Sequence, residues 1–184
     1  VPGPMARCSH DLGVFLEVIA KPHHLDPLSP GFSFKFSEKR VRGELRLAYI
    51  KDPAGIGIDK EVADKCLETF HALSELGHKL DIIEVDLAEG REAFEVLRAQ
   101  SMVNVYLDYT EKLDEMGENI SGNIKRGLGQ NPKDIARAEI TRGELWKKLA
   151  ETFNSYDALL TPTLPITPFP VENNYPESID GKLT

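Results

Sequence analysis

The chain has 184 residues, of which 41% are hydrophobic, so it can bury a core and general disorder is excluded. Its 22 basic and 30 acidic residues give a net charge of −8, which repels nucleic acid and favours a small or neutral partner. Two cysteines, Cys8 and Cys66, are too few for a disulfide framework or a four-cysteine zinc site, and they predict buried thiols in a reducing, cytoplasmic compartment. No stretch approaches the roughly 20 apolar residues of a membrane span, and the first residues lack a leader pattern, so neither membrane anchoring nor secretion is expected.

The first third of the chain predicts a helix, a connector and a strand. Ser9 is a suitable cap for a helix that Pro22 ends, because apolar side chains recur there at helical spacing, at Leu12, Phe15, Leu16 and Ile19. Residues 23–42 hold proline, serine, glycine and aromatic residues without a period, which is typical of a surface connector. Apolar and polar residues then alternate over 45–49, as in a strand.

The next segment predicts a crossover unit, and with it the fold class. Asp59 can begin a helix whose apolar residues share one side, and Gly77 offers the left-handed conformation that ends helices. Leu80 to Val85 predicts a second strand. A strand, a helix and a strand in this order lay two parallel strands in one sheet, so we expect an α/β fold.

The second half of the chain predicts two more helical segments around a loop. Residues 90–116 have helical spacing, whereas residues 117–132 contain four glycines and a proline. This composition favours a loop, either the wall of a pocket, a mobile segment or a plain surface loop. A long helix is predicted from Asp134, then a short buried strand over 157–161, and residues 162–184 predict a proline-rich loop and tail.

No catalytic constellation is evident from the residues alone. The chain has neither a Gly-x-Ser-x-Gly nucleophile elbow nor a phosphate loop ending in Gly-Lys-Ser or Gly-Lys-Thr. His23, His24 and Asp26 lack a further ligand at a recognisable spacing, so no metal site and no cofactor is predicted. Cys66 falls on the apolar side of its helix, which favours an inert core thiol.

Two motifs nevertheless resemble those of a known family. Gly-Pro-Met-Ala-Arg at residues 3–7 resembles the segment just after the nucleophile in amidase signature enzymes, and Asp-Ala-Leu-Leu-Thr-Pro-Thr-Leu-Pro at 157–165 resembles a motif that follows it in that family. The order of the landmarks between them is also similar. The resemblance implies the amidase signature fold, with a mixed sheet covered by helices, and hydrolysis of carbon–nitrogen amide bonds by a serine nucleophile.

The resemblance also implies that the catalytic residues lie outside this chain. The family's catalytic lysine, its serine with a cis peptide and its nucleophilic serine precede the segment that residues 3–7 resemble. We therefore expect residues 1–184 to form a single partial domain of an amidase, inactive by itself. The alternative is a non-catalytic binding or assembly module, and exposed strand edges would make a homo-oligomer possible.

Four residues are candidates for binding a small-molecule amide substrate. In the family, the loop after the Leu-Leu-Thr-Pro-Thr strand lies near the active-site cleft, so Thr161, Pro162 and Thr163 could line it or form only a stiff structural loop. Arg126 falls near the place where a relative, the amidase-like component of glutamyl-tRNA amidotransferase, has an arginine that grips its substrate's carboxylate. An ordinary surface arginine is the alternative interpretation.

Overall fold

A computed structural model describes residues 3–29, 31, 33–37 and 43–183. The chain divides into two compact units, Val1–Gly43 and Glu44–Thr184. Part of the connector predicted over 23–42, namely residues 30, 32 and 38–42, lies outside the described residues. Of the helices in the described ranges, none is both long and apolar enough to cross a membrane.

Among the described residues of the first unit, one helix, α1, spans Ser9–Ile19. The helix begins one residue earlier than a Ser9 cap would place it, because Cys8 is the extended residue before the first turn. Gly13 is buried under the ring of Phe36, which lies where a Cβ on that glycine would be. The expectation of two buried thiols is wrong for Cys8, which is exposed.

The second unit is built on a small parallel sheet. The strands are β1 (Arg46–Tyr49), β2 (Lys79–Ile82) and β3 (Ala158–Leu160), in the order β2-β1-β3. Both partners of β1 run parallel to it, with Leu47 opposite Leu80 on one side and Ala158 on the other. The central strand carries the buried apolar residues of the sheet. Parallel strands with helices between them in the chain confirm the predicted α/β class.

Helix α2, Lys60–Glu75, makes the predicted crossover between β1 and β2. Phe70 is its buried residue, and the Phe70 ring packs against that of Tyr49 with 5.2 Å between centroids. Gly77 follows the helix with φ of 91°, as its position predicts. Asp59 precedes the first turn without capping it, since its carboxylate accepts a hydrogen bond from the backbone N–H of Asp180 at 2.7 Å.

Three further helices form a layer of their own. They are α3 (Gly90–Val105), α4 (Glu118–Leu128) and α5 (Pro132–Phe153), and a 3₁₀ segment over Leu107–Glu115 follows α3. The loop predicted over 117–132 is therefore wrong, because most of it is α4. One of its glycines is required for helix packing, because a Cβ on Gly127 would overlap the carbonyl oxygen of Ala99 in α3. Ile124 of α4 is completely buried in this layer.

The proline-rich segment after β3 ends in a two-stranded antiparallel hairpin. Its strands are β4 (Ser178–Ile179) and β5 (Lys182–Leu183). Asp180 and Gly181 form the turn with φ of 52° and 72°, in the left-handed region that two-residue hairpin turns require. The bond from Asp180 to Asp59 fastens the turn beside the start of α2.

Candidate functional site

The carboxyl ends of β1 and β3 lie side by side and define the edge at which a site is expected. Ile50 continues β1 and donates its backbone N–H to the carbonyl of Leu160 at 3.0 Å. Parallel sheets bind ligands at this edge, where the loops after the strands diverge. Thr161 is the first residue beyond β3 and is thus held at this edge by the register of the sheet.

The side chain of Asp52 forms hydrogen bonds within the loop that follows β1. The Asp52 carboxylate accepts hydrogen bonds from the backbone N–H groups of Ile56 at 3.2 Å and Gly57 at 2.8 Å. Gly57 has φ of 92°, and a Cβ there would lie 2.9 Å from that of Asp180. Because Asp52 already occupies these donors, we assign this loop a structural role.

The loop after β3 holds three of the predicted substrate-binding residues. Thr161 is exposed, and its hydroxyl donates to the carbonyl of Pro162 at 3.1 Å. Pro162 is half-buried and Thr163 is exposed. Farther along, the carbonyl of Pro165 accepts the backbone N–H of Asp59 at 2.8 Å, which anchors the loop to the start of α2.

A cavity of about 280 Å³ opens between the sheet and α2 and reaches the end of β3. Its lining comes from β1, α2 and the end of β3: Tyr49, Lys65, Cys66, Thr69, Phe70, Leu73, Leu160 and Thr161. Tyr49 and Leu160 pair in register, so their side chains leave the sheet on the same face. Cys66 is half-buried at this cavity rather than enclosed in the core.

Arg126 lines a different and larger cavity, of about 580 Å³, between α3 and α4. Arg91 and Arg98 of α3 share this lining with it, as does Tyr175. The Arg126 guanidinium lies 3.5 Å from the carboxylate of Glu95, and both side chains are more than half exposed. Three guanidinium groups against one carboxylate give this cavity a chemistry suited to an anionic group.

The predicted residues are therefore not brought into one cavity. Thr161 and Arg126 line separate cavities, and Pro162 and Thr163 line neither. Arg91 and Arg98 were not among the residues predicted from the sequence. They are seven residues apart, a spacing that places two side chains on the same side of a helix and could have indicated them.

Metal-ligating side chains do not cluster in the described ranges, where no three of His, Cys, Asp and Glu are close enough to hold an ion. His23 serves its own loop instead. Its Nδ1 accepts the backbone N–H of Leu25 at 3.3 Å, and its ring stacks on that of His24 with 4.8 Å between centroids.

Comparison with known proteins decides the family. The sequence model of the Amidase family matches residues 1–182. This chain belongs to the amidase signature family. The resemblance read from residues 3–7 and 157–165 is thereby confirmed, and the amidase signature fold is confirmed by solved structures.

Curated relatives match the chain over part of their own length. An acylamidase of Rhodococcus erythropolis is 27% identical over 187 residues, which cover 97% of this chain and 39% of the relative. A glutamyl-tRNA(Gln) amidotransferase component from Saccharolobus solfataricus is 25% identical and is matched over 90% of this chain and 40% of its own. The chain thus spans about 40% of the length of these relatives.

Solved structures show the same fold at lower identity. An inhibitor-bound complex described in connection with the origins of an s-triazine catabolic enzyme superposes with a TM-score of 0.78 at 20% identity, over 96% of this chain and 39% of the other. A crystal structure of an amidase gives a TM-score of 0.76 at 18% identity, over 97% of this chain and 38% of the other.

Proposed function

We propose that the protein to which this chain belongs is an amidohydrolase that cleaves carbon–nitrogen amide bonds of a small molecule. The observation that carries this proposal is the family match over residues 1–182. In the mechanism that the family implies, a serine hydroxyl attacks the amide carbon, the amine leaves with a proton, and water then hydrolyses the acyl-enzyme. The lysine and serines of this mechanism lie outside the chain.

The role we propose for the chain is to build part of the substrate-binding wall. Thr161, Pro162 and Thr163 follow β3 at the edge where parallel sheets bind ligands, which supports their place beside the cleft. Pro162 fixes its own backbone angle, and the Pro165–Asp59 bond anchors the far end of the loop. A wall held in this way can orient an amide without itself reacting.

Arg126 is proposed to bind a carboxylate of the substrate or a similar anionic group. The neighbouring Arg91 and Arg98 support this role, because together the three exceed the charge of Glu95. A substrate carboxylate entering this cavity would compete with Glu95 for the Arg126 guanidinium. Since Thr161 lines another cavity, we treat the two proposals as independent.

Amide hydrolysis by the intact protein and by this chain alone tests the first proposal. The panel runs from acetamide to aryl amides, and ammonia or amine release is measured for both polypeptides under the same conditions. Turnover by the intact protein alone is expected. If neither releases amine, the alternative of a binding or assembly module gains support, and turnover by this chain alone would contradict a nucleophile outside it.

Substitutions in the intact protein test the wall. Thr161→Val keeps the shape and removes the hydroxyl, so we expect a raised KM for amides, whereas Thr110→Val, in the 3₁₀ segment, serves as the matched control.

Arg126→Lys should raise KM for amides that carry a carboxylate and leave neutral amides unchanged. Equal effects on charged and neutral amides would contradict the role of Arg126.

A cytoplasmic location and a homo-oligomer stay predictions from the sequence.

A further inference from the structure

An apolar cavity of about 290 Å³ adjoins the arginine cavity, which Arg91, Arg98 and Arg126 line between α3 and α4. Its walls come from the loop after β1, the loop after β2 and the first two turns of α3: Pro53, Ala54, Leu87, Gly90, Arg91 and Phe94. The backbone N–H of Leu87 donates to the carbonyl of Pro53 at 3.0 Å, which ties the two loops together. The apolar cavity therefore lies at the edge where parallel sheets bind ligands, and its volume suits one ring with a short substituent.

Arg91 and Phe94 line both cavities, so the two spaces meet at these residues. With Glu95 and Arg98 they recur at i, i+3, i+4 and i+7, and they therefore share one side of α3. All four are exposed, and Phe94 is 60% exposed, so a ligand reaches them from solvent. The Arg98 guanidinium lies 5.8 Å from the centre of the Phe94 ring, which holds a positive charge beside an aromatic surface.

The arginine cavity has an excess of positive charge in a chain whose net charge is −8. Within the described ranges, Arg126 has Glu95 beside it, whereas neither Arg91 nor Arg98 is paired with a carboxylate. The ion pair of Arg126 and Glu95 is exposed on both sides, and such pairs are weak enough for an anionic ligand to displace. The charge of this cavity therefore selects an anion, and the walls of its neighbour select an apolar group.

We propose that the two cavities together bind one aryl carboxylate, with its ring in the apolar cavity beside Phe94 and its carboxylate at Arg91, where the cavities meet. Arg98 and Arg126 add positive charge around that carboxylate. A small anion without a ring would leave the apolar walls in water, and a neutral ring would leave the guanidinium groups without a partner. The inference rests on the proposed function, because it names the substrate class of the same site: amides that carry an aromatic carboxylate.

Three probes separate the ring from the charge. Benzoate has both, acetate has the charge without the ring, and nitrobenzene has the shape of benzoate without the charge. Equilibrium dialysis of the intact protein against radiolabelled benzoate measures the dissociation constant, and unlabelled acetate and nitrobenzene are then added as competitors. Benzoate should bind at least about tenfold more tightly than either competitor, as the loss of a charged hydrogen bond or of a buried ring predicts.

Substitutions in the intact protein assign this binding to the two cavities. Arg91→Gln keeps a polar side chain and removes the charge, so it should weaken benzoate binding about tenfold and leave the inhibition constant of nitrobenzene unchanged. Phe94→Ala changes an exposed position of α3, and it should weaken benzoate and nitrobenzene alike while acetate keeps its affinity. Arg142→Gln, on α5 and outside both cavities, changes the net charge equally and is the matched control, in which benzoate binding should not change.

Turnover by the intact protein tests the substrate class. 4-Acetamidobenzoate and acetanilide are aryl amides that differ by one carboxylate. The intact protein should prefer 4-acetamidobenzoate in kcat/KM. This preference should fall about tenfold in Arg91→Gln and persist in Arg142→Gln.

The proposal is overturned by any of three results: no binding of benzoate, competition by acetate or nitrobenzene as strong as that by benzoate itself, or benzoate binding that Arg91→Gln leaves unchanged. Benzoate held only beside the nucleophile, as a reaction product, would give the third result. Benzoate binding that responds to Arg91→Gln, without hydrolysis of any amide, would support the site and contradict the amidohydrolase function. Hydrolysis of neutral amides without benzoate binding would do the reverse, so the two failures are distinguishable.

Discussion

Arg46 and Asp157 are joined by two hydrogen bonds at the start of the parallel sheet. The Asp157 carboxylate accepts the backbone N–H of Arg46 at 2.7 Å, and the backbone N–H of Asp157 donates to the Arg46 carbonyl at 2.8 Å. The pair joins the first residue of β1 to the residue before β3, far apart in sequence. It sets the register that brings Thr161 to the end of the sheet.

Asp157→Ala should lower the free energy of unfolding by about 1–2 kcal/mol, because the Arg46 N–H loses a charged acceptor at a partly exposed position. Asp157→Asn keeps an acceptor of the same size and should cost less than half as much. Urea unfolding of both variants measures the difference. Equal losses would mean that the charge, rather than the hydrogen bond to the backbone, stabilises the pair.

Two glycines of α4 should respond to alanine in opposite directions. A Cβ on Gly127 would overlap the Ala99 carbonyl and the side chain of Val103, so Gly127→Ala should cost about 1–3 kcal/mol through displacement of α3 from α4. Gly122 has open space around its Cβ position, and Gly122→Ala should stabilise by up to about 1 kcal/mol through helix propensity. Thermal unfolding of both measures the signs, and destabilisation by Gly122→Ala would contradict the packing described.

These glycines show why part of the fold could not be predicted. α2 was predicted because its signals are local: Asp59 before it, apolar residues on one side, and Gly77 after it. α4 was missed because its glycines, read locally, indicate a loop, whereas Gly127 is required by close approach to α3. Such an approach depends on tertiary contacts that no local pattern contains.

The candidate site likewise has one part that the sequence could predict and one part that it could not. Thr161 could be placed at the end of a strand from the motif alone, since strand ends are local features. The cavity beside it could not, because Tyr49 and Cys66 belong to different elements and meet only when α2 packs on the sheet. The unsatisfied hydroxyl of Tyr49 is likewise a property of its surroundings.

Helix α5 should depend on its first cap. The side chain of Asn131 accepts the backbone N–H groups of Lys133 at 2.9 Å and Asp134 at 3.1 Å. Asn131→Ala should destabilise by about 1 kcal/mol, whereas Asn131→Ser retains an acceptor and should lie within a few tenths of the parent. Guanidinium unfolding followed by circular dichroism measures both. A loss as large for serine as for alanine would show that the acceptor for the Lys133 and Asp134 N–H groups is not what stabilises α5.

The Tyr49 hydroxyl should make stability fall at alkaline pH. Burial, and then the charge of Cys66, raise the pKa of Tyr49 in the folded protein above the ordinary value of 10.0. The folded protein therefore keeps a proton that the unfolded chain releases. As pH rises past about 10 toward the higher folded pKa, the unfolded state is stabilised relative to the folded state. Below that range the contribution of the protonated Tyr49 to the free energy of unfolding is fully present.

Urea midpoints of the parent and of Tyr49→Phe, measured from about pH 8 to about pH 11, should keep a constant separation up to about pH 9.5 and then diverge, with the parent losing more. In a Cys66→Ala background the divergence should shrink, because the thiolate charge no longer opposes ionisation of the tyrosine. Curves that stay parallel over the whole range would place the hydroxyl in contact with water and would contradict its burial.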